Sequence, residues 1–116
     1  MPTTEIEKSK PHILIEIIEY VPGSVARKAI IRKTTGNISV VAVDTGQTLT
    51  SKILPFDIFI QVIEGVAVVV INKEPNILQA GKGIVIPAHA PHSITSDQQF
   101  KMISTVIKSG YEGLSI

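Results

Sequence analysis

Short runs of β-branched and other apolar residues recur along the chain, separated by turns rich in Gly, Pro, Asn and Asp. Runs of this length, with turn signals every eight to twelve residues or so, are typical of an all-β sandwich or barrel. No stretch has the length and periodicity of a convincing helix. We therefore predict one all-β domain of roughly eight to ten strands. The predicted strands are residues 25–33, 38–43, 58–63, 66–71, 77–79, 84–86, 94–97 and 100–107.

The two longest apolar runs stand back to back in the middle of the chain. Residues 58–63 end at Glu64 and Gly65, and residues 66–71 begin immediately afterwards. Two β-branched runs with a glycine between them predict antiparallel strands joined by a tight turn. A third apolar segment, residues 13–20, fits either a short helix or a strand, and its isoleucine content favours a strand or an irregular edge.

The chain ends are more polar or richer in glycine than the middle. Residues 1–10 have no apolar periodicity and are predicted to form a mobile arm, followed by one domain over residues 11–110 and a loose tail over 111–116. The N-terminus lacks the apolar core of a secretory signal. No apolar run reaches the ~18 to 20 residues of a membrane span. These features predict a cytoplasmic protein with no membrane partner.

Composition and charge exclude several classes of function. The chain has no cysteine, which excludes disulfides and thiolate metal sites. Its 11 basic and 10 acidic residues give no electrostatic footprint for a nucleic acid. The basic residues Arg27, Lys28, Arg32 and Lys33 are predicted to form a solvated strand face. The apolar content of 44% is high for a small monomer and predicts a homodimer, with residues 13–18 as the candidate surface.

Glycine and proline spacing adds a resemblance to a known family. Gly46 and Gly65 are separated by eighteen residues, and Pro87 follows Gly81 after five. This spacing resembles the two motifs of the cupins, which are small jelly rolls, over roughly residues 38–107. The first motif is Gly, five residues, His-x-His, three or four residues, Glu, six residues, Gly. The second is Gly, five residues, Pro-x-Gly, two residues, His, three residues, Asn. The resemblance implies an all-β, double-stranded β-helix barrel.

The metal positions of those motifs are mostly changed. In metal-binding cupins, the two histidines and the glutamate of the first motif and the histidine of the second hold the ion. The matching positions here are Lys52, Leu54, Ile58 and His92. A divalent ion needs three or four imidazole and carboxylate ligands, and one histidine beside two hydrocarbon side chains and a lysine does not provide them. We therefore predict a degenerate metal site and no bound cofactor.

A non-standard metal site is the alternative. Asp57 is adjacent to the glutamate position, and a bulge at Pro55 and Phe56 would turn its carboxylate inwards. His89 lies three residues before His92, so that His89, His92 and Asp57 could converge on an ion. The simpler interpretation makes Asp57 a turn-stabilising residue and His89 an exposed loop residue.

The candidate chemistry is centred on one histidine. His92 is expected to point into the barrel, either as the candidate catalytic group or as a buried histidine with a backbone partner. The predicted ligand-binding residues are Lys52, Leu54, Ile58, His92 and Met102, with Phe59 beside them.

Three functions follow from these residues. The first hypothesis is a metal-free cupin that binds a small molecule. The second is an isomerase-like or lyase-like enzyme that acts on a sugar or an organic acid through His92 and Lys52. The third is a purely structural or interaction role, in which the isoleucine-rich residues 13–18 form a dimer surface.

Overall fold

The computed structural model describes residues 5–50 and 53–108. In this part of the chain it contains nine β-strands and one short 3-10 helix, Leu14–Glu16. The strands are β1 Val25–Lys33, β2 Gly36–Val43, β3 Thr48–Thr50, β4 Ile58–Glu64, β5 Val66–Ile71, β6 Glu74–Gln79, β7 Gly83–Ile86, β8 His92–Thr95 and β9 Phe100–Ile107. The prediction of an all-β domain is confirmed.

The strands form two antiparallel sheets that face each other. The five-stranded sheet has the order β1-β2-β9-β4-β7, and the four-stranded sheet has the order β3-β8-β5-β6. Side chains alternate between the two faces of each strand, so every second residue points between the sheets. Val41, Ile60, Val69 and Phe100 are almost fully buried there and belong to one apolar core. This core is the interior of a barrel.

The predicted tight turn between β4 and β5 is wrong. β4 pairs with β7 and β9 in one sheet, whereas β5 pairs with β6 and β8 in the other. Gly65 therefore carries the chain from one sheet to the other, with a φ of +79° that favours glycine. Local sequence indicates a bend at this glycine, but it does not show that β4 pairs with the distant β7 and β9, or that β5 pairs with β8 in the other sheet.

A hairpin turn joins β5 to β6. Among the described residues, it is the only hairpin turn in which two adjacent residues have left-handed backbone conformations. Asn72 and Lys73 have φ values of 50° and 71°, which suit the type I′ turn that matches the twist of a hairpin. This turn starts β6 at Glu74, three residues earlier than predicted. Pro75 is compatible with the pairing because β6 lies at the edge of its sheet. The short strand β3 was not predicted.

The N-terminal apolar segment covers the outer face of the five-stranded sheet. Ile18 packs there in a second apolar cluster with Val40, Ala42 and Ile103. The strand that was favoured over residues 13–20 is therefore wrong, and the short helix left open as the alternative is present as the 3-10 helix, outside both sheets. Ile17, Ile18 and Tyr20 are apolar because they pack against a sheet, and not because the backbone pairs with one.

Polar contacts attach this segment to the sheet. The buried Lys101 donates a hydrogen bond from Nζ to the carbonyl oxygen of Ile15 at 2.5 Å, and its Nζ lies 4.0 Å from Oε2 of Glu64. The hydroxyl of Tyr20 donates to the same Glu64 oxygen at 2.6 Å. The charge of Lys101 is thus partnered inside an apolar surrounding, as a buried cation requires.

Residues of the predicted N-terminal arm also contact the sheet. Ile6 N donates to the carbonyl oxygen of Ala29 at 3.2 Å, and Oε2 of Glu5 accepts from Arg32 N at 2.6 Å. Residues 1–4 and the predicted tail at 111–116 lie outside the described residues, and the predicted domain limits stay a prediction. None of the helical structure in the described ranges is long and apolar enough to cross a bilayer.

Candidate functional site

A cavity of about 170 Å³ lies inside the barrel, between the two sheets. Most of its wall is hydrocarbon or thioether, and its polar groups are the guanidinium of Arg27, the imidazole of His92 and the hydroxyl of Ser104. A concave, mostly apolar surface with a few polar groups is the general form of a small-molecule site. The apolar wall includes Leu49, Leu54, Ile58, Ile60, Met102 and Val106.

Strand alternation positions the wall residues. Ile58 and Ile60 on β4 are both buried and point into the barrel, while Phe59 between them is 40% exposed on the outer face. The prediction that Phe59 lies beside the pocket is therefore wrong, because neighbouring strand residues face opposite sides. On β8 the same alternation places His92 and Ile94 on the inner face, and both line the cavity.

Four of the five predicted ligand-binding residues share this cavity. Leu54, Ile58, His92 and Met102 all line it, although they come from a loop and three different strands. Lys52 lies outside the described residues, so its predicted role in ligand binding stays a prediction. The Nδ1 atom of His92 is 3.2 Å from the carbonyl oxygen of Ala90, which fixes the ring against the preceding turn.

Asp57 and His89, the alternative metal ligands, lie in loops and do not line the cavity with His92. Asp57 accepts a hydrogen bond from Ala88 N at 2.8 Å through Oδ1, as expected of a turn-stabilising carboxylate. His89 is exposed, has a φ of +69°, and its backbone N donates to the carbonyl oxygen of Leu54 at 2.7 Å. These two hydrogen bonds connect the loop before β4 with the loop before β8 at one end of the barrel.

The donor groups do not fit the metal that the motif resemblance implies. Within residues 5–50 and 53–108, no group of three or more His, Cys, Asp or Glu side chains is arranged to hold an ion. At two positions where the motif has metal donors, Leu54 and Ile58 contribute hydrocarbon to the cavity wall. His92 alone offers a donor at a motif position in the described chain, which is too few for a divalent ion.

Arg27 is a cavity residue that the sequence reading missed. It pairs with Val41, which pairs with Met102, and residues opposite each other across a sheet share one face. Arg27 therefore lies on the inner face of β1, where it lines the cavity while its side chain stays exposed to solvent, as predicted. The predicted single basic face is wrong, because Lys28 points to the other side of the strand. The signal was available, because Arg27 and Lys28 are neighbours on a strand and cannot both point outwards.

A larger groove of about 510 Å³ lies outside the barrel, against the N-terminal segment. It is lined by Ile13, Leu14, Phe59 and Lys82, among others, and its wall lacks the histidine of the barrel cavity. Ile13 and Leu14 are exposed, whereas Ile18 from the same predicted dimer surface is buried against the sheet. The homodimer stays a prediction, and the barrel cavity is the candidate functional site.

Two comparisons with known proteins find relatives at the level of family and fold. The family model of the cupin domain matches residues 39–106. Among curated proteins, no relative matches the chain. Among solved structures, a conserved protein of unknown function from Streptococcus pyogenes is 25% identical, with a TM-score of 0.84, and the match covers 93% of this chain and 96% of that one.

Two further structures share the fold at lower identity. A cupin superfamily protein from Desulfitobacterium hafniense is 20% identical, with a TM-score of 0.83 and coverage of 92% and 98%. An RmlC-like cupin from Shewanella frigidimarina is 18% identical, with a TM-score of 0.70 and coverage of 79% and 83%. The predicted jelly-roll barrel is thereby confirmed. Because the cupin model spans more than half of the residues, the chain belongs to the cupin domain family.

Proposed function

We propose that this cupin binds a small organic molecule in the barrel cavity without the divalent metal that its motifs hold elsewhere in the family. The observation that carries the proposal is the cavity wall itself. Leu54 and Ile58 occupy two metal-donor positions with hydrocarbon, and His92 remains beside them. Such a wall suits the apolar part of an organic ligand and leaves polar groups to orient it.

Catalysis by acid–base groups is the second candidate, and the wall composition favours binding over it. An isomerase or lyase of this kind needs a proton donor and a proton acceptor near the substrate. The described lining residues contribute the imidazole of His92 but no carboxylate. Asp57 and His89, the other candidates, are exposed in loops at one end of the barrel and are not among the residues that line the cavity.

The proposal is tested by titrating the ¹⁵N-labelled protein with small organic acids, alcohols and amides and following the backbone amide resonances. We expect at least one compound to shift the resonances of β8 and β9 in a saturable way. Two cavity-filling variants, Ser104→Ile in the wall and Leu54→Trp in the loop, should each weaken this binding about tenfold or more, because they occupy the space of the ligand.

The control is Thr105→Ile, which places the same isoleucine side chain on the outer face of β9. Its neighbour Ser104 is inward, so this variant should bind as the unchanged protein does. Spectra that no compound perturbs would contradict the proposal. A cavity-filling variant that folds and still binds with unchanged affinity would also contradict it. Two such variants are used so that the test is informative even if one of them unfolds.

A further inference from the structure

The barrel cavity contains a positive charge that nothing in the described chain neutralises. Arg27 lines the cavity from β1, which is the edge strand of the five-stranded sheet, and its side chain is accessible to solvent. No described acidic residue forms an ion pair with it. The lining residues include no carboxylate. Since a guanidinium stays protonated at all physiological pH values, the cavity has a fixed charge that favours an anion.

The contact of Arg27 with the cavity is built into the sheet. Its pairing partner Val41 is fully buried in the barrel core, and Met102 lies next in the same row. On the outer face the neighbouring Lys28 has the opposite orientation. A planar guanidinium is suited to a carboxylate because its N–H groups match both oxygens.

His92, the second polar group in the cavity wall, favours a ligand group that donates a hydrogen bond. The Nδ1 atom of His92 lies 3.2 Å from the carbonyl oxygen of Ala90. A carbonyl oxygen only accepts, so Nδ1 carries the proton of this hydrogen bond. In the neutral imidazole Nε2 is then an acceptor, and it has no hydrogen-bond partner in the part of the chain that the structure describes. The ligand group that meets it is therefore an O–H or N–H donor.

Size restricts the ligand further. At about 30 Å³ for each water molecule, 170 Å³ corresponds to about six waters, or an organic molecule of about six or seven non-hydrogen atoms. The wall between the polar groups is hydrocarbon from Leu54, Ile58 and Met102, which suits a short alkyl chain.

From these observations we infer that the cavity is a site for a small aliphatic hydroxycarboxylate. Its carboxylate binds the guanidinium of Arg27, its hydroxyl donates to Nε2 of His92, and its alkyl chain contacts Leu54, Ile58 and Met102. The inference rests on the proposed function and adds the chemical class of the ligand.

The test compares three probes of equal carbon skeleton by calorimetric titration: 2-hydroxybutyrate, butyrate, which lacks the hydroxyl, and 2-hydroxybutyramide, which lacks the charge. We expect 2-hydroxybutyrate to bind about tenfold or more tightly than either analogue, because each analogue leaves one polar group of the cavity without its partner. Arg27→Gln should weaken the binding of the acid about tenfold or more and leave the amide nearly unchanged.

Two variants separate cavity chemistry from general effects. Lys28→Gln removes the same charge from the opposite face of the same strand and should leave the affinity for 2-hydroxybutyrate within about twofold, because Lys28 does not line the cavity. His92→Phe should abolish the preference for 2-hydroxybutyrate over butyrate while keeping the preference for acid over amide.

The outcomes distinguish this inference from the proposed function. If the amide binds as tightly as the acid, and filling the cavity with Ser104→Ile weakens both, the ligand class is wrong and the proposed function stands. If Arg27→Gln and Lys28→Gln weaken the acid equally, the role of Arg27 is wrong. If none of the three probes nor any neutral compound binds in the cavity, both proposals fail.

Discussion

Tyr20 is the residue whose ionisation should be visible in the stability of the fold. Burial, and then the hydrogen bond to Glu64, raise the pKa of Tyr20 in the folded protein. The neutral hydroxyl is therefore stabilised by folding. This contribution is fully present below the unfolded pKa of about 10 and is lost as the pH rises through the higher folded pKa.

We therefore expect the free energy of unfolding to fall as the pH rises above about 10, and Tyr20→Phe to remove most of this fall. Below that pH the variant should be less stable by about 1 to 3 kcal/mol, because the carboxylate of Glu64 no longer accepts a hydrogen bond from the Tyr20 hydroxyl. Urea titrations from pH 8 to 11 measure both effects. Tyr111→Phe changes the other tyrosine of the chain and is the control. Equal slopes in both variants would contradict the assignment to Tyr20.

At the residue scale, sequence reasoning found most of the cavity but missed its charge. His92 and Met102 lie where alternation on an inward-facing strand puts them. Arg27 is exposed to solvent as predicted, but its place in the cavity wall was missed, although two adjacent basic residues on one strand must face opposite sides. Which of the two faces inwards depends on the register of β1 against β2, and that register is not visible in either strand by itself.

At the element scale, two glycines with nearly equal φ values should respond differently to substitution. Gly65 has a φ of +79° at the crossing between the sheets, and an added Cβ would lie 2.5 Å from the carbonyl oxygen of Gln99. Gly46 has a φ of +80°, but an added Cβ would meet nothing within 4 Å. An alanine at either position is strained because the backbone is left-handed. Of these two variants, only Gly65→Ala also brings a Cβ into contact with neighbouring backbone.

We expect Gly46→Ala to lower the free energy of unfolding by about 1 to 2 kcal/mol from backbone strain. Gly65→Ala should lower it by a further 1 to 3 kcal/mol or so, because the backbone around Gln99 must shift. The midpoints of urea unfolding, measured side by side, give the difference. Equal midpoints for the two variants would mean that the crossing at Gly65 is not as tightly packed as described.

The strands themselves were largely predictable, and their assignment to sheets was not. β1, β5 and β9 have the predicted bounds, because β-branched runs bounded by turn residues identify strands locally. The crossing at Gly65 and the outer position of Ile18 depend on contacts between distant parts of the chain. A segment that covers a sheet and a strand within a sheet both need apolar residues, so composition did not separate them.

At the scale of the whole molecule, the turns of the cupin fold are kept while the metal-binding positions are changed. The glycines that shape the cupin turns remain at Gly46, Gly65 and Gly81, each with a positive φ. At two donor positions, Leu54 and Ile58 form an apolar wall instead. Two of the positions that hold an ion in metal-binding cupins thus carry no ligand atom here. The proposed absence of the usual divalent metal therefore concerns the whole cavity rather than any one side chain.

Elemental analysis of the protein, purified without added metal or chelator, tests this claim most directly. We expect zinc, nickel, manganese and iron well below one ion per chain, and no change in His92→Ala or in the control His12→Ala, whose imidazole lies outside the cavity. Near one ion per chain, lost in His92→Ala and retained in His12→Ala, would contradict it, because His92 would then hold a metal despite the hydrocarbon at Leu54 and Ile58.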